Sequence, residues 1–319
     1  MKVTIFTPTY NRASTLPRLF EALQRQTVKC FEWLIVDDGS TDGTEDLVYK
    51  FRSKADAFPV RYYFQEHGGK PRAQNKAVDL AEGELFITCD SNKYLADNAV
   101  ELILKAEDSI KGIPMMCGVG GYRADFSGRI YGGRMELGSR KYVDCTVLEN
   151  QKYKISGDKA TAFYTSILRE HKSPEYPGET FVCEGVWLIP MALEGYKTRW
   201  FPEILVYGEY SPDGLTMQGA NSYIGHVNNF LGYLHYLKFE IMACGTEAVL
   251  PMIHEALDIA KEKEMPDAEL ASRIGCTLAQ IRHIRNVRAF HKKYGKLSQS
   301  IKRVLGDNRV TTIKKMLGR

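Results

Sequence analysis

Four stretches of this chain place carboxylates, amides and cations where chemistry could use them. The first is Asp90-Ser91-Asn92, which closes the short apolar run Leu85, Phe86 and Ile87. A carboxylate with a second oxygen ligand two residues on suits a hard cation such as Mg²⁺ or Mn²⁺. Such an ion can neutralise charge building on a departing phosphate. The ordinary alternative is a polar strand end with no ligand. The second stretch is LIVDDGSTDGT. Two adjacent acids after an apolar run face opposite ways, so one can be structural while the other, Asp38, accepts a hydrogen bond from a nucleobase. Against this stands a plain loop of turn formers capping the next helix.

The third stretch is HGGKPRAQN. Gly68 and Gly69 let backbone approach a ligand, and Lys70 and Arg72 offer charge to phosphates. The GxxxxGK[ST] spacing of a Walker loop is absent, and no GxGxxG follows the first expected strand. Solvated surface cations are the competing reading. The fourth is PGETFVCEGVW, with Glu179 and Glu184. A carboxylate near Phe181, Val182, Val186 and Trp187 can act as general base, or it can be an exposed acid on an amphipathic helix.

The elements that would position these groups alternate. Strands are expected at Lys2–Thr7, Phe31–Val36 and Val60–Phe64, and again in the apolar run before Asp90. Helices are expected at Ser14–Thr27, Thr44–Lys54, Pro71–Ala81 and Ala99–Lys111. That alternation with short joints predicts an α/β fold, a mostly parallel sheet flanked by helices. Right-handed crossovers then bring the loops after Thr7, Val36 and Thr88 to one edge, where ligands bind in open α/β sheets. Beyond Lys111 the spacing predicts strands at Met115–Tyr122 and Gly128–Tyr131 and a helix within Ser156–Arg169. A helical pattern resumes in PGETFVCEGVWLI, strands follow over Tyr196–Tyr210, and helices fill the rest. The expected organisation is a nucleotide-binding half over residues 1–112, an acceptor-binding and catalytic half over 113–220, and a helical, basic extension over 221–319.

Composition is that of a globular protein, with 44% hydrophobic and 26% charged residues in 319, which argues against disorder. No apolar run approaches the roughly 18 residues of a membrane span, and no leader pattern opens the chain. Seven cysteines without metal-clamp spacing read as isolated small core residues, which suits a reducing cytoplasm. The net charge of +4 is uneven: from Pro266 onward there are 13 Lys/Arg against 3 Asp/Glu, a net of +10, so the preceding residues carry −6.

In order and spacing, TPTYNR, VDDGSTDGT, an Asn-bearing helix and AEGELFITCDS resemble the nucleotide-binding half of the family 2 glycosyltransferases, from about Lys2 to Leu104. A weaker likeness in SGDKATAFYTSIL, PGETFVCEGVW and VYGEYSPDGLT extends to bacterial enzymes of capsule and lipopolysaccharide synthesis. The resemblance implies a GT-A-type fold and transfer of a sugar from a nucleotide donor with inversion at the anomeric carbon. It implies a donor set of Thr9, Tyr10, Arg12, Asp38, Lys70, Arg72, Asp90 and Ser91, with Asp38 on the uracil edge and Asp90 by the ribose and the metal. It implies a divalent cation, Mg²⁺ or Mn²⁺, on Asp90 and Asn92. The donor is expected to be a UDP-hexose or UDP-N-acetylhexosamine, and the acceptor a glycan or lipid-linked oligosaccharide. The setting is cytoplasmic, or peripheral at the inner face of a membrane.

Two departures shape the expectations. The family's Glu-Asp pair becomes Glu184-Gly185 here, so Glu184 is the expected base and Glu179 the fallback. Many members read Asp-Ser-Asp-Asp where this chain has Asp90-Ser91-Asn92-Lys93, which predicts weak metal binding with Lys93 supplying part of the charge. Two other functions compete: a non-catalytic sugar-nucleotide binder, and a sugar nucleotidyltransferase, which needs a glycine-rich phosphate loop where TPTYNR stands.

In the tail, Leu278, Ile281, Ile284, Val287 and Phe290 recur beside Arg282, Arg285, Arg288 and Lys292. This describes a helix on an anionic membrane or one packed with its basic face in water. AELASRIGCTLAQIR also follows helix-turn-helix spacing, a permissive pattern, and nucleic acid is not the expected partner.

Overall fold

The computed structural model describes residues 1–210, 214, 217 and 219–290. In chain order the first half runs β1 (Val3–Thr9), α1 (Leu16–Arg25), β2 (Phe31–Asp37), α2 (Thr44–Lys54), β3 (Val60–Phe64), α3 (Lys70–Leu80), β4 (Leu85–Thr88), β5 (Lys93–Leu95) and α4 (Ala99–Asp108). Then come β6 (Met116–Ala124), β7 (Val143–Cys145), a 3₁₀ helix (Val147–Tyr153), β8 (Lys159–Tyr164), α5 (Thr165–Glu170), α6 (Gly185–Leu193), β9 (Lys197–Gly208), α7 (Tyr223–Asn228) and α8 (Phe230–Cys244). The chain divides into two compact units, Met1–Val249 and Leu250–Arg319.

All nine strands form one sheet in the order β3-β2-β1-β4-β8-β6-β9-β5, with β7 also on β9. The first four are parallel, as the alternating pattern predicts. Side chains alternate across a strand, so consecutive apolar residues feed opposite faces. Val3, Ile5, Trp33, Ile35, Leu85 and Ile87 join the core under α1, α2 and α4. Phe6, Leu34, Val36 and Phe86 enter the core that α3 and α6 cover. Burial on both faces explains why these strands read as unbroken apolar runs.

The second half departs from the sequence expectation. The helix expected within Ser156–Arg169 forms, but it begins only at Thr165 (α5), and the Lys159–Tyr164 part of that range is a strand pairing antiparallel with both β4 and β6. The alternating residues of KATAFY fit a pleated surface, and two neighbouring strands offer every backbone group a partner, which outweighs local helical spacing. Gly128–Tyr131 forms no strand, only a bridge from Ile130 to Ala124. Within Tyr196–Tyr210 there is one long strand, β9, and residues 178–184 are irregular, helix starting at Gly185. Part of SPDGLT and everything after Phe290, including Lys292, lie outside the described residues.

The second unit contains α9 (Leu250–Glu262), α10 (Asp267–Ile274) and a helix over 278–290. Its core includes Ile253, Leu257, Leu270, Ile274, Ile281 and Ile284. Gly275 closes α10 in the left-handed region, and Thr277 and Gln280 cap the next helix reciprocally. Arg285 and Arg288 of the basic face pair with Asp267 and Asp258. Among the described residues, no helix is long and apolar enough to cross a membrane.

Candidate active site

The carboxyl ends of β1, β2 and β4 open on a cavity of about 610 Å³, lined by Pro8 to Arg12, Asp38, His67, Lys70, Asp90 to Lys93, Arg123 and Asp158. Next to it is a second cavity of about 330 Å³, lined by Phe86, Thr161, Phe163, Phe181 to Glu184 and Trp187. Lys70, Asp90, Lys93, Arg123 and Asp158 line both.

The loop after β1 lines the first cavity and is held by the loop after β2. Asn11, in the left-handed region that Asn tolerates, accepts from the Thr41 amide at 2.8 Å and donates its own amide to Ser40 Oγ at 2.8 Å. Asp42 accepts from the Ala13 amide at 2.9 Å. Thr9 is buried, and its hydroxyl has no partner among the described residues. Tyr10 stands exposed at the rim, stacked on His67 with ring centroids 4.4 Å apart. Arg12 lines the same cavity.

The adjacent acids diverge as the alternation requires. Asp37 accepts from the Ser40 amide and the Tyr62 hydroxyl, both at 2.8 Å. Asp38, 4% exposed, accepts from the amides of Gly68 at 2.9 Å and Gly69 at 2.8 Å, and from Gln65 Nε2 at 2.7 Å. Asp38 therefore shapes the HGGK turn from beneath, and much of its accepting capacity is already taken. Gly69 has φ +90°, and a Cβ there would lie 2.0 Å from the Thr180 carbonyl oxygen, so the close approach admits glycine alone.

That turn delivers Lys70 at the start of α3. Its Nζ lies 3.0 Å from Asp90 Oδ1 and 3.9 Å from Glu184 Oε1. Burial pulls the Lys70 ammonium's pKa down, but the two carboxylates outweigh it and the net shift is upward. Lys93 Nζ bonds Asp90 Oδ2. Burial alone would raise the Asp90 carboxyl; Lys70 and Lys93 instead hold it well below the carboxylate range. For Lys93, burial prevails over Asp90 and the shift is downward, with Arg123 and Lys70 adding to it. Arg123, on β6, bonds Asp158 at 2.7 Å, and Tyr210 shares that carboxylate at 2.9 Å.

The structure does not bring every expected residue together. Arg72 turns to the Tyr176 carbonyl at 3.1 Å and to Glu175, and it lines neither cavity. Glu179 accepts from the Leu231 amide at 2.7 Å and the Gly232 amide at 2.8 Å, which makes it the cap of α8 rather than a cavity group. Glu184 sits at the N-terminus of α6, 60% of its side chain exposed, within the second cavity. A Cβ at Gly185 would fall 2.4 Å from the Tyr236 ring, so no second acid fits beside Glu184.

The donor set also fails to fit the divalent cation expected on Asp90 and Asn92. Both Asp90 oxygens already carry an ammonium group. Asn92 donates to the Glu209 carbonyl at 3.2 Å and adds no charge. Among the described residues, no group of three His, Cys, Asp or Glu could hold a metal.

Arg123 and Asp158 are absent from the sequence-based set. The available signal was an arginine inside the otherwise apolar, glycine-rich strand GVGGYRA. A buried charge in a strand requires a partner and is often functional.

Comparison with known proteins agrees with this architecture. Residues 4–160 match the family described as glycosyl transferase family 2. A chondroitin synthase of Pasteurella multocida is 38% identical over 103 residues, 32% of this chain and 10% of that protein. The match thus spans about a tenth of the synthase's length. A GalNAc(5)-diNAcBac-PP-undecaprenol beta-1,3-glucosyltransferase of Campylobacter jejuni is 24% identical over 246 residues, covering 74% of this chain and 73% of its own. S. aureus TarS 1-349, crystallised in complex with UDP-GlcNAc, superposes with a TM-score of 0.57 at 18% identity over 92% of each chain, which makes the fold GT-A type.

Proposed function

From the premise that this chain carries a glycosyltransferase family 2 domain over residues 4–160, we propose that it transfers a sugar from a nucleotide donor to an acceptor hydroxyl with inversion. The observation that carries this reading is the meeting of two cavities at Lys70, whose ammonium stands between Asp90 on one side and Glu184 on the other. The larger cavity would take the nucleotide. Tyr10 and His67 offer a flat surface to the base, and Thr9 Oγ1 is a buried hydroxyl that still lacks a partner among the described residues. The smaller cavity would take the acceptor, with Trp187 and Phe181 as apolar wall.

In the reaction, Glu184 takes the proton of the acceptor hydroxyl, and that oxygen attacks the anomeric carbon. The bond from that carbon to the β-phosphate oxygen breaks and its electron pair leaves with the diphosphate. Attack opposite the leaving group inverts the centre. Lys70 holds Glu184 and Asp90 in one electrostatic unit and faces the charge that develops on the phosphate. Both Asp90 oxygens are already paired, one with Lys70 and one with Lys93.

UDP is the proposed nucleotide and UDP-hexoses or UDP-N-acetylhexosamines the proposed donors. The proposed acceptor is a glycan or lipid-linked oligosaccharide of a surface polysaccharide, a reading that the Campylobacter relative's name supports. A thermal-shift panel of UDP-, GDP- and CDP-sugars, followed by assay of the best binder for slow hydrolysis, tests the proposal. The expected result is stabilisation by UDP-sugars and release of a sugar of inverted configuration. Tight binding with neither hydrolysis nor transfer on any acceptor would make the protein a binder instead.

A further inference from the structure

We propose that Lys93, acting with Lys70 and Arg123, takes the place of a divalent cation here, so that the donor diphosphate binds without metal. The inference rests on the nucleotide-donor reading above and specifies how that site balances its charge.

Asp90 is the carboxylate that the sequence offers to a cation beside the phosphates, and its two oxygens are divided between Lys70 at 3.0 Å and Lys93. An entering metal would have to displace one ammonium and sit close to the other. Like charges at such range repel strongly where water is scarce. The zone common to both cavities holds three cations, Lys70, Lys93 and Arg123, against two acids, Asp90 and Asp158. With Arg12, Asp38 and Glu209 included, the larger cavity's lining carries four cations against four acids, so a phosphate's charge is met by this local group of three cations rather than by the cavity as a whole. Arg123, 7% exposed, keeps its Nε without a partner among the described residues. Buried donors are nearly always satisfied, and a phosphate oxygen would satisfy this one.

The position of Lys93 is built rather than incidental. Its strand, β5, is the last in the sheet and pairs antiparallel with β9, setting Lys93 opposite Gly208. A Cβ at 208 would lie 2.5 Å from Lys93 Cγ, so the glycine leaves the space through which the lysine stem runs. Only 12% of the Lys93 side chain is exposed, whereas a surface lysine would extend into water. In the transfer step Lys93 donates hydrogen bonds and charge to the departing phosphate but gives up no proton. The electron pair of the breaking carbon–oxygen bond remains on that phosphate oxygen.

Calorimetric titration of the full chain with UDP and GDP, in EDTA and in millimolar Mn²⁺, tests this directly. UDP affinity is expected to agree within about threefold between the two conditions, and Lys93→Met to weaken it on the order of 10- to 100-fold, as for loss of a charged hydrogen bond. Uridine, which has no phosphates, should bind both proteins alike. Lys93→Asp should make UDP binding depend on Mn²⁺. If Lys93→Met does not fold, Gly208→Ala, which crowds the stem, should lower UDP affinity in the same direction. UDP binding by the unmodified chain that vanishes in EDTA and returns with Mn²⁺ would overturn the proposal, as would unchanged affinity in Lys93→Met. Failure to bind any nucleoside diphosphate under either condition would instead overturn the nucleotide-donor reading, and this proposal with it.

Discussion

The two cavities are built by opposite strategies. The larger one rests on the ends of consecutive parallel strands, and its charged groups are committed to the protein. Asp37 and Asp38 hold turns, Asn11 and Asp42 join two loops, and Asp90 carries two lysines. The smaller cavity is assembled from β8, residues 181–187 and α3, segments distant in sequence, and the acid it does not share with the larger one, Glu184, is mostly exposed and only loosely engaged by Lys70. The difference separates two tasks. A rigid, prepaid cradle suits binding a diphosphate, since donors fixed in advance need not reorganise. A carboxylate with few partners suits taking a proton from an incoming hydroxyl.

This contrast is most directly broken at Glu184. Glu184→Gln is expected to lower the transfer rate by roughly 10²- to 10⁴-fold, the usual share of a general base, while UDP affinity stays within about twofold. Rate assay and calorimetry on one preparation check both, and retained turnover would remove Glu184 from the mechanism. On the other side, Asp38→Ala should act through structure first. It strips the acceptor from the buried amides of Gly68 and Gly69, which should cost about 2–6 kcal/mol of stability at roughly 1–3 kcal/mol per orphaned group. Urea denaturation measures it, and a loss below 1 kcal/mol or so would show that the turn does not depend on this carboxylate. The smallest effect is expected at Glu179. Glu179→Ala removes the cap of α8 and should cost about 1–2 kcal/mol, as for other N-terminal caps, with transfer nearly unchanged. A collapse of turnover at intact stability would return Glu179 to the chemistry.

The contrast also governs how much could be read from the residues alone. The parallel half was legible because β1, β2 and β4 are buried on both faces and are therefore largely apolar, with the half-exposed β3 marked by its aromatic residues, and each helix shows its own period. Asp38, Asp90 and Lys70 follow directly, since polar residues closing such strands must lie at one edge. The antiparallel half was not legible. Lys159–Tyr164 became a strand because β4 and β6 flank it, and nothing within six residues announces neighbours that lie nearly eighty (β4) and about forty (β6) positions upstream. Arg72 and Glu179 misled for a related reason: their types suited a phosphate and a proton, but the Tyr176 carbonyl and the α8 amides were nearer.

By itself, the sequence determined the sheet's parallel core and the Asp90 strand end, because hydrophobic period and strand polarity are local properties. Tertiary structure alone decided which of two acids reaches the cavity, why Gly185 cannot be an acid against Tyr236, and that two lysines meet on Asp90. Those outcomes depend on distances between segments remote in sequence, and an ion pair or a steric exclusion exists only once such segments are packed together.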